Sequence, residues 1–142
     1  MAIYKKDGVD GVNHYPKKFV TLYAAAAITK GDWVAFNADT TEGLGGSVSQ
    51  AAAVSTVGNG GCVGVATETV TGTGPITIQT AGFCDFAAVD SSCDINIRMC
   101  GPIGTAGQAG LVAAATFGAV CVGLAADVSN VGSVMIIDQG YF

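Results

Sequence analysis

Gly61-Cys62-Val63-Gly64-Val65-Ala66 and Val120-Cys121-Val122-Gly123-Leu124-Ala125 are two versions of one apolar phrase, 59 residues apart. Each is followed by a polar turn, Glu68 to Gly74 in the first case and Asp127 to Gly132 in the second. An apolar run comes next, Ile76-Thr77-Ile78-Gln79 or Val134-Met135-Ile136-Ile137, and then glycine with an aromatic, Gly82-Phe83 or Gly140-Tyr141-Phe142. Short runs of β-branched residues bounded by Gly, Asn, Asp and Ser read as strands joined by turns. The repeated unit is therefore strand, turn, strand. It predicts equivalent hairpins over residues 61–82 and 120–140, with Cys62 and Cys121 in matching places. The fold class it implies is mainly β, a small β-barrel or sandwich with pseudo-duplicated hairpins.

The rest of the chain agrees with that reading. Its 142 residues include 17 Val, 9 Ile, 13 Thr and 21 Gly but only 4 Leu. β-branched side chains suit a pleated surface, whereas the straight-chain residues that lose little freedom in a helix are scarce. Phe19 to Tyr23 and Trp33-Val34-Ala35-Phe36-Asn37 read as further strands, separated by a turn at Gly31-Asp32. Residues 39–61, rich in Gly, Ser, Thr and Ala, read as a loop with a short helix or weak strand near 48–57. Separate strands are expected over 83–89 and 94–99. A chain of this length supports one core, so residues 18–142 form a single β domain. Residues 1–17, with Gly8, Gly11, Asn13 and Pro16 among scattered Tyr and Lys, read as an extended N-terminal arm.

Charged residues are 12% of the sequence, against roughly 25% in ordinary globular chains. So little charge favours a homo-oligomer or a protein lying on a larger assembly, because monomers rarely leave large apolar patches in water. The net charge of −5 is uneven: residues 1–20 hold four lysines against two aspartates, a net of +2, leaving −7 for the remainder. An acidic body of this kind excludes general nucleic-acid binding, which needs clustered Lys and Arg. The uncharged stretch Gly101 to Ala126 is interrupted by Pro102 and glycines. Its longest apolar piece, Leu111 to Ala126, falls short of the roughly 20 residues of a membrane-spanning helix. No membrane partner is expected. The first residues lack the apolar stretch of a secretory signal, so synthesis and residence in the cytoplasm are expected. The five cysteines, Cys62, Cys84, Cys93, Cys100 and Cys121, contain no C-x-x-C pair, which excludes zinc ribbons and dithiol redox motifs. Reduced, buried thiols are expected in preference to a disulfide framework.

Catalytic chemistry finds little to work with. The single histidine, His14, sits in the arm, and no G-x-S-x-G elbow presents a serine. Asp85, Asp90 and Asp94 do not meet the calcium-loop pattern and read instead as carboxylates capping turn amides. The glycines between 43 and 61 lack the Gly-Lys-Ser/Thr of a phosphate cradle and read as turns. Trp33, Phe36, Phe83, Phe86 and Phe117 fall at strand-like positions and read as core. No catalytic, metal or cofactor site is expected, and the chain reads as a non-enzyme.

Ile28-Thr29-Lys30-Gly31-Asp32-Trp33-Val34, Gly61-Cys62-Val63-Gly64-Val65-Ala66 and the strand Ile76 to Thr80 closed by Gly82 resemble the small Gly/Ala/Val-rich head-decoration, or capsid cement, proteins of tailed bacteriophages. The resemblance covers most of residues 18–138. It implies a compact β domain, often a homotrimer, added to the outside of an assembled head and made in the host cytoplasm. The implied partners are the major capsid protein and further copies of the chain, with an N-terminal segment aiding attachment. The expected contact residues are Tyr4, Lys5, Lys6, Tyr15, Lys17 and Lys18 in and beside the arm, with Tyr141 and Phe142 at the other end. A head fibre or spike base is the alternative virion role, and a small ligand-binding β-barrel the alternative outside it. The cysteine content departs from the family pattern and leaves open whether disulfides form in the virion.

Overall fold

A computed structural model describes residues 16–37, 47–51, 61–93, 99–102, 105–112, 119–125, 128–140 and 142. Nine strands run through them: β1 (Lys18–Ala24), β2 (Trp33–Phe36), β3 (Ser47–Gln50), β4 (Cys62–Ala66), β5 (Gly74–Ala88), β6 (Met99–Pro102), β7 (Ala109–Leu111), β8 (Cys121–Gly123) and β9 (Val131–Ile136). No helix occurs among the described residues. The mainly β expectation holds, and part of the segment expected to be loop, helix or weak strand is the strand β3; residues 52–60 lie outside the described set.

The first five strands close a barrel. β3 pairs parallel to β1 and antiparallel to β2, β2 pairs β4, β4 pairs β5, and the first half of β5 returns to β1. The remaining strands repeat this scheme. β7 meets the end of β5 in a parallel bridge, Val89 to Ala109, and pairs antiparallel to β6. β6 pairs β8, β8 pairs β9, and β9 returns to the second half of β5. Four of the pairings recur as ladders of the same sense, and the fifth recurs as a single parallel bridge at Val89, directly after β5. The duplication visible in the hairpins therefore extends over the whole described fold, and β5 serves both units, as last strand of one and first of the other.

Gly82 makes the shared strand possible. Separate strands were expected on either side of it, but β5 runs unbroken for 15 residues. Pairing with β1 ends at Ala81 and pairing with β9 begins at Gly82. Gly82 has φ +94°, a conformation costly for residues with a Cβ, and a Cβ there would lie 2.9 Å from the Cα of Lys17. The strand thus re-aims at Gly82 instead of turning.

The two hairpins differ in register. Val65 faces Gln79 and Ala66 faces Ile78, whereas Cys121 faces Ile136 and Gly123 faces Val134. Under the sequence echo Ile136 stands in the place of Ile78 and belongs opposite Ala125, so the second hairpin has slipped by four residues. The turn explains this. Val128 and Val131 exchange backbone hydrogen bonds of 2.8 and 3.1 Å around Ser129 and Asn130, whose φ values of 54° and 63° are those of a tight two-residue hairpin turn. The first hairpin has a longer connection, in which Val70 pairs with Ile28.

Two buried clusters form where chain length leads one core to be expected, and the register shift between Val34 and Ala35 in the β2–β4 ladder lets residues three apart on β4 share a face. Ala24, Ile28, Val34, Val48, Val63, Ala66, Ile76 and Ile78 fill the first barrel. The opposite faces of β2 and β4 supply Trp33, Ala35, Cys62 and Val65 to a second cluster with Cys84, Ala87, Val89, Cys100, Cys121, Val134 and Ile136. β4 is buried along its full length because both of its faces are covered, which is why its sequence lacks polar alternation. Trp33, fully buried, donates from Nε1 to the carbonyl of Ala88 at 2.9 Å and so ties the units together. The Gly107 turn of the second unit adds to the join: its N–H donates to Ala51 O and its carbonyl accepts from Trp33 N.

The expectation of reduced thiols throughout is corrected at one pair: Cys93 and Cys100 form a disulfide, with Cα atoms 5.8 Å apart. The turn at Asp90 brings the two together across a short connection, a proximity that spacing along the chain does not reveal. Cys62, Cys84 and Cys121 are free and buried, as expected.

Candidate partner surface

The expected contact residues divide between described and undescribed parts of the chain. Tyr4, Lys5, Lys6, Tyr15 and Tyr141, together with His14 and Phe117, lie outside the described residues. Lys17 is exposed, with Nζ 5.9 Å from the centroid of the Phe83 ring. Lys18 opens β1, and its ammonium donates to Asp138 Oδ2 at 2.5 Å, with both side chains exposed. This hydrogen bond, together with one from the Gly140 N–H, holds the Asp138 carboxyl below the usual carboxylate range. Phe142 is half exposed, its ring centroid 6.3 Å from that of Phe36. Lys17 and Lys18 thus have partners within the chain and anchor the beginning of β1, so neither is wholly at the disposal of a second protein.

Directly after them, β1 presents an apolar strip. Its side chains alternate: Val20 and Leu22 pack against the barrel core, and Phe19, Thr21 and Tyr23 face outward. Phe19 is 55% and Tyr23 49% exposed. Their neighbours across the ladder are Gln79, Thr77 and Pro75 on β5. The sequence marks Phe19 to Tyr23 as a strand without saying which face is buried; Thr21, which shares a face with Phe19 and Tyr23 at a spacing of two, is the signal that this face turns outward. A smaller exposed apolar group, Leu124, Val128 and Val131, sits around the tight turn before β9.

The chemistry of the interior is quiet at neutral pH. Burial pushes the Cys62 thiol up to about 12 and Cys84 to about 11, and it raises Cys121 as well. Thiols so placed stay protonated and are poor nucleophiles toward outside reagents. Asp90 accepts from the N–H of Ser92 at 2.8 Å and from its hydroxyl at 2.5 Å, and the same hydroxyl accepts from Leu111 N at 2.8 Å. Asp90 is therefore a turn-capping carboxylate; Asp85 is exposed on β5, and Asp94 lies outside the described residues. Among the described residues no cluster of three His, Cys, Asp or Glu side chains is arranged to hold a metal ion. No helix among them is long and apolar enough to cross a membrane; the uncharged stretch from Gly101 contributes the end of β6 and the short strands β7 and β8.

Comparison of the sequence with known protein families and with curated proteins finds no match.

Proposed function

We propose that this chain is a structural virion protein, a capsid decoration or cement protein of tailed bacteriophages. In this role it binds the outside of the major capsid protein shell as a homo-oligomer, expected to be a trimer, and stabilises the head. The observation that carries the reading is the outward strip Phe19, Thr21 and Tyr23 on β1, which follows immediately on a basic N-terminal segment in a chain only 12% charged. Aromatic residues on a rigid strand, bordered by positive charge, suit a protein-facing surface: they supply contact area at low entropic cost while the lysines steer approach to an acidic partner. The resemblance of the Gly31-Asp32 and Gly61–Ala66 motifs supports the same role. In the fold these motifs are framework, joining β1 to β2 and forming β4.

The test is reconstitution. Heads assembled from the major capsid protein and lacking this chain are mixed with the purified protein, sedimented and heated. Saturable co-sedimentation together with a higher temperature of genome release supports the proposal. Absence of the chain from pelleted heads at micromolar concentration rules it out.

A further inference from the structure

Cys100 holds two possible partners at once. It is bonded to Cys93, and in the ladder between β6 and β8 it stands directly opposite Cys121. Opposed residues on antiparallel strands have Cα atoms about 4.5–5.5 Å apart, inside the roughly 4.4–6.8 Å that a disulfide requires. The side chains of opposed residues also point to the same face of a sheet. Cys93, Cys100 and Cys121 all belong to one apolar cluster and are at most 1% exposed, and the Cys121 sulfur lies 3.7 Å from the Cys100 carbonyl oxygen. Solvent thiols do not reach this place, so the free thiol on hand for the disulfide is an internal one.

We propose that Cys93, Cys100 and Cys121 form an internal thiol–disulfide exchange site, in which the bond of Cys100 passes from Cys93 to Cys121. The Cys121 thiol gives up its proton and attacks the Cys100 sulfur. The Cys100–Cys121 bond forms as the Cys93–Cys100 bond breaks, and Cys93 leaves as thiolate and takes up a proton. One disulfide and one thiol are present before and after, so no oxidant or reductant is needed. The exchange moves the covalent link from the connection between β5 and β6 to the adjacent strands β6 and β8, freeing Cys93 and the turn that carries it. Because burial, and after it the neighbouring Cys62 and Cys84 thiols, disfavour the Cys121 thiolate, the step is slow at neutral pH and is driven by alkali or by local opening of the sheet.

Peptide mapping of the full chain tests this. The protein is held at pH 7 or pH 10, quenched in acid, alkylated and digested with enzymes cutting after Arg98 and Phe117, which separates the three cysteines. The expected result is the 93–100 link at pH 7 and at least a tenfold increase of the 100–121 link at pH 10. Cys93→Ser, refolded from denaturant in the presence of glutathione disulfide, is expected to close 100–121. Mixing with isotope-labelled chain is expected to give no linked peptides of mixed label. The proposal is overturned if the wild-type chain never yields the 100–121 peptide, if that peptide forms only between chains, or if Cys93→Ser ends with glutathione on Cys100. Should Cys93→Ser not fold, the wild-type pH experiment decides by itself.

Discussion

Two glycines and three thiols show how single residues govern this fold. At Gly31 the backbone has φ +96°, and a Cβ would lie 2.7 Å from the carbonyl oxygen of Phe86, so the residue allows the first turn to press against β5. At Gly64 a Cβ would collide with the carbonyl of Gln79 on the neighbouring strand. Gly31→Ala is expected to cost about 2 kcal/mol or more, combining left-handed strain with the clash. Gly72→Ala, where nothing lies within 4 Å, is expected to stay within about 0.5 kcal/mol of wild type. Urea midpoints of the two variants check the contrast. Gly31 and Gly64 both stand at motif positions in the sequence; Gly64 meets its own hairpin partner, Gln79, whereas the Phe86 carbonyl that Gly31 accommodates belongs to a strand distant along the chain and is not legible there. The buried thiols make a pH prediction. Their folded-state values are raised, so their contribution is complete below the ordinary cysteine value of about 8.5 and is lost as pH rises toward about 11 for Cys84 and about 12 for Cys62. In that window the unfolded chain releases protons that the folded chain retains. Stability is expected to fall from pH 8 to pH 11, with a shallower decline in Cys62→Ala, as measured by urea titration across the range; an equal slope in the variant would refute the assignment to Cys62.

At the scale of elements, strand identity was legible and strand extent was not. The alternation in Ile76 to Gln79 and the apolar phrase of β4 announce strands, yet the same pattern puts the end of the strand near Gly82. A glycine after a strand signals a turn as readily as a bend, and only the pairing partners on each side, Lys18 of β1 and Ile136 of β9, distinguish the two. The hairpin slip has a similar origin. Ser129-Asn130 takes the left-handed conformation of a two-residue turn, and that local choice sets the register of β9 more strongly than the echo does. The join between the units hangs on Trp33, whose indole N–H bonds the Ala88 carbonyl. Trp33→Phe is expected to cost about 1–3 kcal/mol by stranding that carbonyl, and Trp33→Ala about 3–5 kcal/mol by adding a large cavity. Thermal melts of both variants give the order directly.

Over the whole molecule, a shared strand and a core built from both units make independent unfolding of either half unfavourable. One cooperative transition is expected, with coincident midpoints from tryptophan fluorescence, reporting Trp33 at the seam, and from far-ultraviolet circular dichroism. The proposed partner surface was legible only in part. Sparse charge and the lysine-rich beginning are sequence features, while the outward aromatic strip of β1 emerges only once the barrel fixes which face of the strand is inside. The arm and the strip together form the proposed docking surface, and a salt series on binding to heads lacking the protein probes them jointly. Full-length chain and a chain lacking residues 1–15 are titrated onto such heads at low and high ionic strength. The proposed function predicts that the full chain binds tightly and loses affinity with salt, whereas the truncated chain, with an unchanged melting temperature, binds at least tenfold more weakly and with less salt dependence. Equal binding of the two chains at both ionic strengths would deny the arm any part in attachment, and no binding by either would remove the capsid from the proposed function altogether.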